Sequence, residues 1–172
     1  LWAQYSYQFA HEFCHILCNY RETPHRNKWF EESLCETASL YSLRAMAEQW
    51  QTDPPYPNWK GYSAALAKYA ADRIAAAQLP QGQTLADWFA DHEATLYQQA
   101  VNRELNNVAA VQLLPLLEED PQRWEAVAWL NEAPSGQSQT LREFLAAWRE
   151  KAPQRHRGFI RQISVNFGQK AD

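Results

Sequence analysis

Breaker-rich stretches cut this chain into pieces of helical length. "NYRETPHRNK" at 19–28, "QTDPPYPNWKG" at 51–61, "PQGQ" at 80–83 and "APSGQSQ" at 133–139 gather Pro, Gly, Asn and Ser, the residues at which a helix stops and a turn begins. Glycine is scarce, five in 172 residues, and Ala, Leu, Gln and Glu lose little on entering a helix. The pieces read as helices over about 3–19, 29–49, 61–79 and 84–103. "NNVAAVQLLPLLEED" follows, with Pro115 expected to kink or divide it, and then "PQRWEAVAWLNE", with Pro121 suited to a first turn. Thr84 with Asp87, and Thr140 with Glu143, place a hydroxyl cap and an acid at helix starts. The tail "FIRQISVNFG" fits a helix through Ile160, Ile163 and Phe167 and a strand through Ile163, Val165 and Phe167; the helical reading is preferred. The expected fold class is mainly α, one multi-helix domain over 1–172, with residues 1–50 distinct in chemistry from the helical remainder at 60–172.

A chain of this length, 46% hydrophobic, buries a core without needing metals or disulfides. Eight Trp and eight Tyr supply interhelical anchors, Trp88, Trp124, Trp129 and Trp148 among them. No apolar run is long enough to span a membrane. A net charge of −4 without a basic tract argues against a nucleic-acid partner. Cys14, Cys18 and Cys35 are odd in number and form no C-x-x-C pair, so a pure disulfide framework is not expected and the redox compartment stays open. They are expected to pack as small apolar side chains, with a Cys18–Cys35 bridge as the alternative. The chain starts "LWAQYSYQFAHE", with neither Met nor signal peptide. It reads as a fragment or processed product of a longer protein, and its localisation is unassigned.

The chemistry concentrates in "FAHEFCHIL", residues 9–17. Residues four apart lie one turn apart on a single helix face, so His11 and His15 can grip one metal ion. Glu12, rotated off that line, can reach a water held by the metal, where a general base belongs. A catalytic zinc usually takes three protein ligands and leaves a fourth position for water. The second helix offers Glu31, Glu32 and Glu36. Glu32 and Glu36 share a face; if Glu32 is the ligand, Glu36 can orient a histidine from the next turn. Glu31 lies about 100° off that face and is not expected to form such a pair. The bland alternative is two surface histidines beside a solvated acidic face.

"HEFCH", a short loop and then "WFEESLCE" resemble the gluzincin zinc metallopeptidases, the thermolysin- and aminopeptidase-like clan. Members carry H-E-x-x-H on one helix and a glutamate ligand on the next, often inside a W-[FL]-x-E-G-L-A-E-Y-like string. Trp29-Phe30-Glu31-Glu32-Ser33-Leu34-Cys35-Glu36-Thr37 is similar to that string, with Ser33 in place of the usual Gly and Cys35 in place of the usual Ala. The resemblance covers residues 9–41. It implies Zn2+ held by His11, His15 and Glu32, with Glu12 as general base and Glu36 supporting a histidine. It implies peptide-bond hydrolysis of a peptide or protein substrate. It also implies a β-sheet upstream of the first helix, which has no room before residue 3, so the chain corresponds to a helical zincin-like C-terminal portion. The clan uses an electrophile, commonly Tyr or His, for the oxyanion; Tyr20, Tyr41, His25 and His92 are the candidates, with Tyr41 about half a turn off the Glu32 face. Otherwise His25 reads as a surface loop residue and His92 as an ordinary helical one. A noncatalytic metal-containing binding or scaffolding module is the rival reading.

Overall fold

Helix α2 (Lys28–Gln49) runs through the middle of the molecule, and every residue from Trp29 to Leu40 is buried. Helices α1 (Trp2–Leu17), α3 (Tyr62–Ala76), α4 (Leu85–Gln98) and α5 (Arg103–Glu119) pack around it, and α6 (Leu141–Lys151) and α7 (Gln154–Asn166) pair with each other. Short 3-10 segments occupy Pro57–Trp59 and Pro121–Trp129. The computed structural model describes residues 1–20, 26–133 and 136–169; among them there is no strand, so the mainly α fold holds and the tail is helical.

A helix buried on all sides must satisfy its own polar groups. Ser33 Oγ donates to the Trp29 carbonyl (2.9 Å), Thr37 Oγ1 to the Ser33 carbonyl (2.8 Å) and Ser39 Oγ to the Tyr7 carbonyl of α1 (2.8 Å). These back-bonds settle the hydroxyls of α2 and leave its three buried carboxylates to be met by α1. The start of α2 is held by aromatic packing. Phe30 lies edge-on to Phe144, Trp148 and Phe167, while Trp29 stacks on Phe89 at 5.6 Å. This core joins α1, α2 and α4–α7; a second cluster, built on Tyr7, Leu40, Leu43, Leu66 and Leu114, joins α1, α2, α3 and α5.

Helix ends depart from expectation where local bonding favours a stop. The fourth helix ends at Gln98, short of 103, because the Asn102 side chain caps a new start by accepting the Leu105 N–H (3.2 Å). Pro115 lies inside α5 without dividing it. The stretch after Pro121 winds as a 3-10 segment. Gly168, at φ 70°, closes α7 where a Cβ would stand 2.9 Å from Ala86 Cβ, a position only glycine fills without strain. Both expected helix starts form, each as a capping box. In the second, the Thr140 hydroxyl accepts the Glu143 N–H (3.3 Å) and Glu143 accepts the Thr140 N–H (2.8 Å). Thr140→Ala removes one side of this exchange and is expected to lower stability by about 1 kcal/mol. Urea unfolding reads the change, and Thr140→Ser is expected to restore most of it.

Candidate metal centre

Helices α1 and α2 run antiparallel. Tyr7, His11 and His15, one turn apart along α1, meet Glu36, Glu32 and Glu31 in descending order along α2. Both imidazoles turn their Nε2 atoms to the same oxygen: His11 Nε2 lies 3.4 Å and His15 Nε2 3.6 Å from Glu32 Oε2. These separations are long for direct hydrogen bonds. They match a shared ion, since bonds of about 2.0–2.1 Å at tetrahedral angles set ligand atoms about 3.3–3.4 Å apart. His11, His15 and Glu32 offer three donor atoms within 4.8 Å of one another, and the group can hold a metal ion.

The supporting carboxylates are buried, not solvated. Glu31, fully enclosed, sits 2.7 Å from His15 Nδ1 and accepts a 2.9 Å hydrogen bond from Asn131 Nδ2. Asn131 also donates to the Cys18 carbonyl (3.0 Å), pinning the end of α1 over the same carboxylate. Glu31, to which helical spacing assigns no partner, therefore pairs with His15. The expectation treated α2 alone, whereas His15 descends between the directions of Glu31 and Glu32. Glu36 faces His11 Nδ1 at 3.7 Å, beyond a direct hydrogen bond, and the Tyr7 hydroxyl donates to its carboxylate. Burial, then the neighbouring Glu36 charge, push the Tyr7 phenol well above its usual range, so it remains a donor.

Glu12 is exposed and accepts a 2.6 Å hydrogen bond from Gln8 Nε2. Of the other candidates, Tyr20 packs edge-on against the His15 ring at 5.7 Å, with Lys28 Nζ 3.7 Å over its centroid. Tyr41 instead packs on Trp124, and His92 stacks on Trp88 with Nδ1 2.8 Å from its carbonyl. Tyr20 is thus the one described candidate that touches a member of the group; His25 lies outside the described residues. All three cysteines are free and buried, so the alternative Cys18–Cys35 bridge is not formed.

The electrostatics of the site oppose metal entry at low pH. Burial works against a charged His15, but the Glu31 hydrogen bond and the charges of Glu31 and Glu32 outweigh it and push its pKa up from 6.5 to about 10. Burial would raise Glu32, but His11 and His15 hold it down at about 2. The protonated His15 therefore contributes stability that is complete below pH 6.5 and lost as pH rises through about 10. Ionised Glu32 contributes above pH 4.5 and loses its contribution as pH falls toward 2. A metal held by His15 would have to displace the His15 proton. Metal affinity is expected to keep rising about tenfold per pH unit between pH 7 and 9 instead of levelling off above the usual histidine range. Competition against a chelator across that range checks the slope.

Comparison with family models, with curated proteins and with solved structures gives no match for this chain. The centre therefore rests on its own geometry. Glu31→Ala is expected to weaken metal binding about 10–100-fold while leaving all three ligands in place, because supporting carboxylates fix ring orientation and ligand basicity. Isothermal titration of the metal-free protein measures it; an unchanged affinity would remove Glu31 from the centre.

Proposed function

We propose that this domain is a zinc-dependent peptidase of the gluzincin type, with His11, His15 and Glu32 as ligands. The observation that carries the reading is the convergence of both Nε2 atoms on Glu32 Oε2 at 3.4 and 3.6 Å, on the two helices that carry "HEFCH" and "WFEESLCE". A two-histidine, one-carboxylate donor set leaves a coordination position for water, the composition of a catalytic zinc site. Zinc bound there supplies Lewis acidity, acidifying water and polarising a carbonyl.

The residues around it divide the remaining work. Glu12, one residue along from His11 and exposed to solvent, takes the proton of the attacking water and passes it to the leaving amine. Glu31 and Asn131 hold His15 with Nε2 inward. Tyr7 steadies Glu36 behind His11. Tyr20, against His15, is the candidate partner for the developing oxyanion. The substrate is a peptide or protein; endo- and exopeptidase action both fit.

A noncatalytic metal-containing module has one observation in its favour. The outer side of α1 exposes Trp2, Tyr5, Phe9, Phe13 and Ile16, the last at 72%, an apolar stripe of the kind that docks partners. Zinc content measured together with turnover of a mixed peptide library separates the two. Bound zinc with cleavage that depends on Glu12 supports the peptidase; bound zinc without turnover in the full-length protein supports the module.

A further inference from the structure

Behind the histidine–glutamate centre, on the same two helices, lies a second group of soft donors. Cys14 and Cys18 are four apart and share one face of α1; Cys35 meets them from α2. Their three sulfurs lie within 4.8 Å of one another, and the Cys14 and Cys18 sulfurs are 4.0 Å apart. All three residues are essentially without solvent exposure. No donor is shared with the His11–His15–Glu32 group, and among the described residues no fourth histidine, cysteine or carboxylate joins the three thiols.

We infer that Cys14, Cys18 and Cys35 form a binding site for a soft d10 metal ion, distinct from the histidine–glutamate centre. The sulfur spacing is far beyond the roughly 2.05 Å of a disulfide. The 4.0 Å between the Cys14 and Cys18 sulfurs agrees with a shared ion: metal–thiolate bonds of about 2.3 Å put sulfurs about 4.0 Å apart in a trigonal plane and about 3.8 Å apart in a tetrahedron. Three thiolates, with no fourth side-chain donor among the described residues, favour an ion content with three soft ligands, and monovalent copper, one of the ions that thiolates select, is such an ion. As each metal–sulfur bond forms, the corresponding S–H proton passes to solvent; no electron is transferred. Cys18 is the residue at which α1 ends, followed by Asn19 at φ 53°. Release of the Asn131 hydrogen bond to the Cys18 carbonyl, with opening of this last helical turn, gives an ion its path to the buried sulfurs. Bound there, the ion joins α1 to α2 and stabilises their seam, because an ion held only by the folded chain adds its binding free energy to folding.

The test uses the reduced full chain, kept anaerobic and titrated with Cu(I) against a colorimetric Cu(I) chelator. The wild type is expected to hold one Cu(I) per chain, with X-ray absorption showing three sulfur neighbours. A His11→Asn/His15→Asn variant is expected to retain that ion, which separates this site from the proposed peptidase centre. Cys35→Ala is expected to lower Cu(I) affinity by more than about 100-fold, beyond the effect of losing a merely supporting group. Circular dichroism checks its fold, and Cys18→Ala serves as the second variant if Cys35→Ala does not fold. The inference is overturned if the folded wild type takes up no more Cu(I) than the triple Cys→Ala chain, or if uptake disappears with the histidine variant and survives loss of the cysteines.

Discussion

Glu12→Gln is expected to leave zinc bound and to lower peptidase turnover by about 10²- to 10⁴-fold, the range that a positioned general base supplies. Glutamine keeps the size and hydrogen-bonding shape of the side chain and loses the ability to accept a proton. Glu12 lies outside the trio of donors that converge on one point, so its replacement spares the ligands. Nor is Glu12 a structural support: it is exposed, and its hydrogen bond comes from Gln8 on its own helix. Glu32→Ala is the complementary change, since it removes a ligand and should empty the site and abolish turnover together. Metal analysis by mass spectrometry, run beside the peptide assay, distinguishes the two patterns. Retained turnover in Glu12→Gln, or zinc lost along with it, would sink the assignment of Glu12 as base.

The parts of this centre legible in the sequence are those set by one helix at a time. Helical spacing alone aligns His11 with His15 and Glu32 with Glu36, and the structure brings the first pair onto Glu32. Glu31 was not legible because its role depends on where α1 crosses α2, and a helical period contains no crossing register. Asn131, a hundred residues from Glu31 along the chain, carries no spacing signal at all; its hydrogen bonds to Glu31 and to the Cys18 carbonyl arise from the tertiary fold. Tyr7 was within reach, since it extends the four-residue step Tyr7–His11–His15 back by one turn. The same division holds for the fold. Capping boxes at Thr84 and Thr140 are local exchanges between side chain and backbone, and both form as read. The stop at Gln98 is set by a competing cap at Asn102, a short-range contest that composition does not rank.

Trp148→Ala is expected to cost about 3–5 kcal/mol, the range for truncating a buried Trp to Ala. In a chain of this size that lowers the melting temperature by roughly 6–20 °C. Trp148 is fully buried, packs edge-on against Phe30 and Phe159, and donates from Nε1 to the Ala126 carbonyl (2.8 Å). Alanine would open a cavity beneath the first turn of α2 and remove the indole hydrogen bond to the Ala126 carbonyl, two losses that add. Trp29 makes the informative comparison. It is equally buried, yet among the described residues its Nε1 has no hydrogen-bond partner. Trp29→Phe therefore removes ring volume and an unpaired donor, whereas Trp148→Phe removes ring volume and a satisfied bond. Trp148→Phe should be the more destabilising of the two in urea unfolding. Because Phe30 links Trp148 to the turn that presents Glu31 and Glu32, Trp148→Ala should also weaken metal binding at temperatures where the chain is still folded. An order of stabilities in which Trp29→Phe costs more would mean that ring packing against Phe89, and not the Ala126 hydrogen bond, decides how firmly the start of α2 is held.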